Sequence, residues 1–68
     1  MRERILNSIK DLRQQKDITQ QCLAEAVGVS RQSIISIERG QYIPSLPLAI
    51  RIARFFGLPV ETIFKLEE

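Results

Sequence analysis

The sequence predicts an all-α fold, a compact bundle of five short helices in which the second and third form a helix-turn-helix. Apolar residues recur at the spacing of amphipathic helices, and no strand-like alternation is found. Ser, Thr and Gly stand where helices begin and end. A chain of 68 residues, 44% of them apolar, has room for one small core, so residues 1–68 are expected to form a single domain.

The first helix is predicted over residues 5–15. Four apolar residues share one of its faces, namely Ile5, Leu6, Ile9 and Leu12. Arg13 falls on the same face, so an arginine is expected at the edge of the core.

The second and third helices are predicted over 20–27 and 31–39. Thr19 is placed to cap the first of them, and Gly28 to end it in the left-handed conformation. Ser30 is placed to cap the next helix. Two helices joined by so short a turn make up a helix-turn-helix of about twenty residues.

The fourth helix is predicted to begin after Ser45, with Pro47 in its first turn, and to end at Gly57. A fifth, over 60–66 and entered through Pro59, is expected to cover the core. The apolar arc of the fourth helix spans about 160°, wider than one small core requires. Its assigned core residues are Leu48, Ile52, Ala53 and Phe56. Ile50, Phe55 and Leu66 are candidates for a two-fold dimer interface, although scattered exposed apolar groups are also ordinary.

The third helix divides into two faces at 100° per residue. The outer arc holds Arg31, Gln32, Ile35, Ser36 and Arg39, with Ser33 at its border. Arginine pairs with guanine O6 and N7, glutamine with adenine, and a side chain such as isoleucine contacts a thymine methyl. The helix N-terminus also favours phosphate. Alternatively, these residues form a helix face that is only exposed to solvent. The turn just before them, which completes the helix-turn-helix, favours contact with DNA.

Glu38 lies on the inner arc of the third helix, where a carboxylate is costly unless it is paired. Arg13 is similarly placed on the first helix, which predicts a partly buried Arg13–Glu38 ion pair with a structural role. Lys16 also falls on the apolar side of the first helix and is an alternative partner.

The composition and charge of the chain limit the classes of function that are expected. A net charge of +2 is compatible with nucleic acid without being diagnostic. One cysteine and no histidine argue against a disulfide, a metal site or a cofactor, and no ligand pocket or catalytic constellation is evident, so an enzyme is not expected. Cys22 is either a thiol activated near a helix N-terminus or a small, partly buried side chain. Without a signal peptide or a membrane-spanning run, a cytoplasmic location is expected.

Three segments resemble the phage repressor and Cro type of helix-turn-helix regulators, the XRE family. They are I-T-Q-x-x-L-A-x-x-V-G-V-S-R-Q-x-I-x-x-I-E-x-G from residue 18, Y-x-P-S-L from 42 and I-A-x-x-F-G-L from 52. Four positions depart from the family pattern. Cys22 replaces a frequent glutamate, Asp17 a glycine, Gln41 a lysine and Pro59 a serine.

The resemblance implies a lambda-repressor-like fold that binds double-stranded operator DNA as a homodimer, with the third helix in the major groove. Repression is its simplest outcome. By position, Arg31, Gln32 and Ser36 face bases, Ser33 touches the backbone or a base edge, and Gln20, Arg39 and Tyr42 contact phosphate. The same resemblance matches Arg13 and Glu38 to an ion pair. An antitoxin or an adaptor built on the same scaffold is the alternative, because fold alone does not establish function.

Overall fold

The computed structural model describes residues 4–67, and within that range it holds five helices and one two-stranded antiparallel sheet. In chain order the elements are β1 (Ile5–Asn7), α1 (Ile9–Gln15), α2 (Gln20–Val27), α3 (Arg31–Glu38), α4 (Leu46–Phe56), α5 (Val60–Ile63) and β2 (Phe64–Leu66). The five predicted helices and the helix-turn-helix of α2 and α3 are confirmed.

The all-α expectation is wrong at the two ends of the described chain. Residues 5–7 leave the predicted first helix and residues 64–66 leave the fifth, and they pair as β1 and β2 with Ile5 opposite Leu66. Flanking backbone bonds extend the ladder, from Ser8 N to Ile63 O at 3.1 Å and from Glu67 N to Arg4 O at 2.8 Å. Each segment is too short to show a strand period, and its backbone groups are satisfied by a partner almost sixty residues away.

The predicted helix caps are confirmed. The hydroxyls of Thr19, Ser30 and Ser45 each accept from a backbone N–H three residues on, at 3.0, 3.1 and 3.3 Å. Gly28 and Gly57 end α2 and α4 with φ of +79° and +70°. These caps use donors and acceptors that the helices themselves leave unpaired.

Two departures from the family pattern have visible consequences. Asp17 has φ of +56°, so a residue with a Cβ occupies the left-handed turn after α1. The start of α5 at Pro59 has no side-chain cap. Cys22 is exposed, so the expectation of a partly buried, space-filling side chain is wrong.

The core lies where the helices meet. Its largest fully buried side chains are Ile9, Leu23, Ile34, Ile37, Ile52 and Ile63. The four core residues predicted on α4 are all buried, which confirms that assignment. Arg51 also joins two helices, since its Nε donates to Val27 O at 3.0 Å and satisfies a carbonyl at the end of α2. This hydrogen bond therefore ties α4 to the end of α2, and so to the helix-turn-helix.

Among residues 4–67, no helix combines the length and the apolar character needed to cross a membrane.

Candidate nucleic-acid interface

The outer face of α3 is open to solvent. Arg31 and Gln32 are exposed in its first turn, and neither side chain donates a hydrogen bond to another of the described residues. Further along the helix Ile35 and Ser36 are half-buried, and Arg39 is exposed just past its end. The arc predicted from helical phase is therefore the one presented to solvent.

The inner face anchors this helix. Ile34 and Ile37 are buried in the core, which fixes the helix without using its polar residues. Ser33 lies at the border, half-buried, and its hydroxyl is 3.1 Å from that of Ser30. Ser33 thus takes part in capping α3, a local role that its position on the arc did not indicate.

The ion pair between α1 and α3 is bidentate. Arg13 Nε lies 2.7 Å from Glu38 Oε2, and Arg13 Nη2 lies 3.2 Å from Glu38 Oε1. The two side chains are only 12% and 6% exposed. Arg13 Nη1 also donates to Ile18 O at 3.0 Å, so the guanidinium ties the turn before α2 as well. Lys16, the alternative partner, is exposed.

The ion pair favours the charged form of Arg13. The hydrogen bond from Arg13 to Glu38 raises the pKa of the guanidinium, and this outweighs the opposing effect of burial. A group with a raised pKa in the folded state stabilises that state at every pH below its ordinary value. The arginine contribution is therefore complete throughout the physiological range and is lost only in strong alkali.

Gln20 is held by the same carboxylate. Its Nε2 donates to Glu38 Oε1 at 3.1 Å, which fixes the carboxamide at the start of α2. A primary amide has two N–H donors, so one remains for another acceptor. Sequence reasoning placed Gln20 at a phosphate and missed this internal bond.

A basic recess of about 350 Å³ opens beside α3. We use this name for the hollow between α1, α2 and α3 that is lined by Lys10, Arg13, Gln20, Arg31, Ile35, Glu38 and Arg39. Four of its side chains are cationic, and Glu38 neutralises one of them. The recess therefore carries a positive field, which attracts anions.

Lys10 is the lining residue that the sequence analysis did not single out. It lies on α1, three residues before Arg13, so the two side chains are neighbours on that helix. The three-residue spacing between Lys10 and Arg13 is the feature of the sequence that could have indicated this placement.

The segment after α3 carries the remaining predicted contacts. Gly40 has φ of +74° and turns the chain away from the helix, and Tyr42 beyond it is exposed. Tyr42 lines a separate groove of about 240 Å³ between this loop and β1. Arg39 lines both this groove and the basic recess, so it connects the two hollows and lies in the same groove as Tyr42.

The candidate dimer residues lie outside both α3 and the basic recess. Ile50 and Leu66 are 37% and 52% exposed. Phe55 is half-buried, and its ring packs edge-to-face on Phe56 with centroids 5.1 Å apart. Ile50 and Leu66 therefore offer more accessible apolar surface than Phe55.

A helix-turn-helix family model, HTH_3, matches residues 9–67. The chain belongs to this family of Cro/C1-type helix-turn-helix proteins. The match begins where α1 begins and ends just past β2. It therefore includes every helix and the whole basic recess.

Relatives of this HTH_3 chain are named as regulators. It is 52% identical over 62 residues to an HTH-type transcriptional regulator of Methanocaldococcus jannaschii, covering 91% of this chain and 94% of the relative. It is 32% identical over 54 residues to the cryptic phage CTXphi transcriptional repressor RstR of Vibrio cholerae, covering 79% of this chain and 49% of that one. Among solved structures it resembles the restriction-modification controller protein C.AhdI of Aeromonas hydrophila, with TM-score 0.72, 28% identity and coverage of 78% and 80%.

Proposed function

We propose that this HTH_3 regulator is a sequence-specific repressor that binds a pseudopalindromic operator as a homodimer, with α3 in the major groove. The observation that carries the proposal is the state of Arg31 and Gln32, which are exposed side by side in the first turn of an otherwise anchored helix. Side chains in that position reach base edges when such a helix enters the groove. The Vibrio phage relative is named as a transcriptional repressor, which supports repression rather than activation.

The residues divide into two roles in this proposal. Arg31 reads guanine and Gln32 reads adenine, while Ile35 and Ser36 line the groove further along the helix. Backbone contacts position the protein without carrying sequence information. We assign them to Gln20 through its free N–H, to Arg39, to Tyr42 and to Ser33 at the border, and we add Lys10 because it lines the basic recess.

Selection from random duplex DNA tests the proposal, followed by binding of the selected sequence in rising salt. We expect enrichment of a site with two-fold symmetry, with half-sites one helical turn or about 34–36 Å apart. Affinity is expected to fall steeply with salt, because phosphate contacts release counterions. A pool without enrichment, bound no better than random DNA, would contradict the proposed function.

Binding is expected with two chains on one operator, measured by light scattering of the complex. Ile50→Glu is expected to weaken this assembly, because it places a charge on exposed apolar surface of α4. Leu6→Glu is the matched control, since Leu6 is 48% exposed and is not assigned to the interface. A complex of one chain per operator would rule out the homodimer, and equal behaviour of the two variants would remove Ile50 from the interface.

Arg39→Ala is expected to lower affinity for all sequences alike and to reduce the salt dependence by about one phosphate contact. Its charge lines the basic recess beyond the end of α3, and we assign it to phosphate rather than to bases. Arg54→Ala is the control, because Arg54 is also an exposed arginine and lies on α4, outside the basic recess. A change in base preference with Arg39→Ala would show that this arginine reads sequence.

A further inference from the structure

Asn7 joins three elements through one side chain. Its Nδ2 donates to Ile37 O at 2.9 Å, in the last turn of α3, and its Oδ1 accepts from Ile9 N at 3.2 Å, at the first residue of α1. Its backbone belongs to β1, opposite Phe64. The carboxamide of Asn7 thus uses both its donor and its acceptor.

The last turn of α3 is thereby held from two sides. Arg13 forms an ion pair with the side chain of Glu38, and Asn7 donates a hydrogen bond to the backbone carbonyl of the preceding residue, Ile37. The first turn, where Arg31 lies, has no such polar tie to another element among the described residues. The polar ties from α3 to other elements therefore lie at its C-terminal end, whereas its first turn is held by the apolar packing of Ile34.

This arrangement makes the tilt of α3 sensitive to Asn7. Ile37 lies six residues after Arg31, or about 9 Å along a helix that rises 1.5 Å per residue. A change of about 10° in the angle of α3, taken about Ile37, would move Arg31 by about 1.5 Å, whereas a binding geometry tolerates about 0.5 Å. Loss of one hydrogen bond at Ile37 is thus amplified at the base-reading end.

We propose that Asn7 is a positioning residue for the recognition helix, which sets the angle at which α3 presents Arg31 and Gln32 to the DNA. This inference rests on the proposed function and goes beyond it. It assigns part of the discrimination between sequences to a side chain outside the helix-turn-helix, whose only hydrogen bond to α3 among the described residues is to a backbone carbonyl.

Asn7→Asp isolates the bond to α3. The carboxylate still accepts from Ile9 N and is favoured at the start of α1, but it cannot donate to Ile37 O and repels that carbonyl. Asn7→Ala loses both bonds without adding charge, and it replaces the aspartate variant if that one does not fold. Ser8→Ala is the matched control, because the hydroxyl of Ser8 makes no capping bond.

The measurement is the ratio of affinities for the selected operator and for random duplex, taken at low temperature on protein shown by circular dichroism to be folded. We expect the ratio to fall about tenfold for Asn7→Asp, the size of one weakened base contact, and to stay unchanged for Ser8→Ala. Beyond residues 6–9, which adjoin the substitution, amide spectra of the free variant are expected to change most over residues 36–40. A purely structural role would lower the melting temperature and leave the ratio alone.

An unchanged ratio in folded Asn7→Asp, with a wild-type protein that discriminates, would overturn this inference and leave the proposed function standing. A wild-type protein that does not discriminate at all would overturn the proposed function, and this inference with it.

Discussion

Replacing Glu38 by alanine is expected to lower the free energy of unfolding by about 3–5 kcal/mol, because it leaves the buried charge of Arg13 without a counter-ion. The Arg13 side chain is 12% exposed, and its Nε and Nη2 both donate to the carboxylate that is lost. Gln20 loses its acceptor in the same substitution. The total free energy of unfolding of a domain of this size is about 3–10 kcal/mol. Urea titration is therefore expected to find the Glu38→Ala variant close to unfolded.

The double variant Arg13→Met with Glu38→Leu is expected to regain most of that loss, since removing both charges abolishes the cost of burying them. Arg4→Ala with Glu67→Ala is the control pair. Its side chains are 76% and 45% exposed at 3.2 Å, and its removal is expected to change stability by about 0–1 kcal/mol. A single Glu38→Ala variant as stable as this control would show that the buried pair contributes nothing to the fold.

Replacing Arg31 by alanine is expected to cost about 1–3 kcal/mol of affinity for the selected operator, roughly a factor of 5 to 150, and to relax preference at one base pair. The reason is the bidentate contact to guanine that we propose for this side chain in the first turn of α3. Binding measured across a library of single base changes would locate the affected position. Affinity for random duplex is expected to fall far less.

Arg54→Ala again serves as the control, because it removes the same charge from α4 and is expected to leave the preference intact. If Arg31→Ala weakened binding to every sequence equally, Arg31 would be a phosphate contact and the register of α3 in the groove would have to be shifted. If it changed nothing, α3 would not be the recognition helix.

The sequence by itself determined what depends on neighbouring residues and on helical period. Caps at Thr19, Ser30 and Ser45 form bonds within one turn, and Gly28 meets a local demand for positive φ. The two faces of α3 follow from 100° per residue. The same phase argument brought Arg13 and Glu38 together, since two charges that both face a small core must meet or remain unpaired.

Only the tertiary structure decided the features that join distant parts of the chain. The ribbon of β1 and β2 replaced the ends of two predicted helices, because pairing between chain segments leaves no periodic trace in three residues. Lys10 lines the basic recess, Gln20 donates a hydrogen bond to Glu38, and Asn7 makes hydrogen bonds to both α1 and α3. Each is a contact between side chains and groups whose separation is set by packing, and no local propensity encodes that distance.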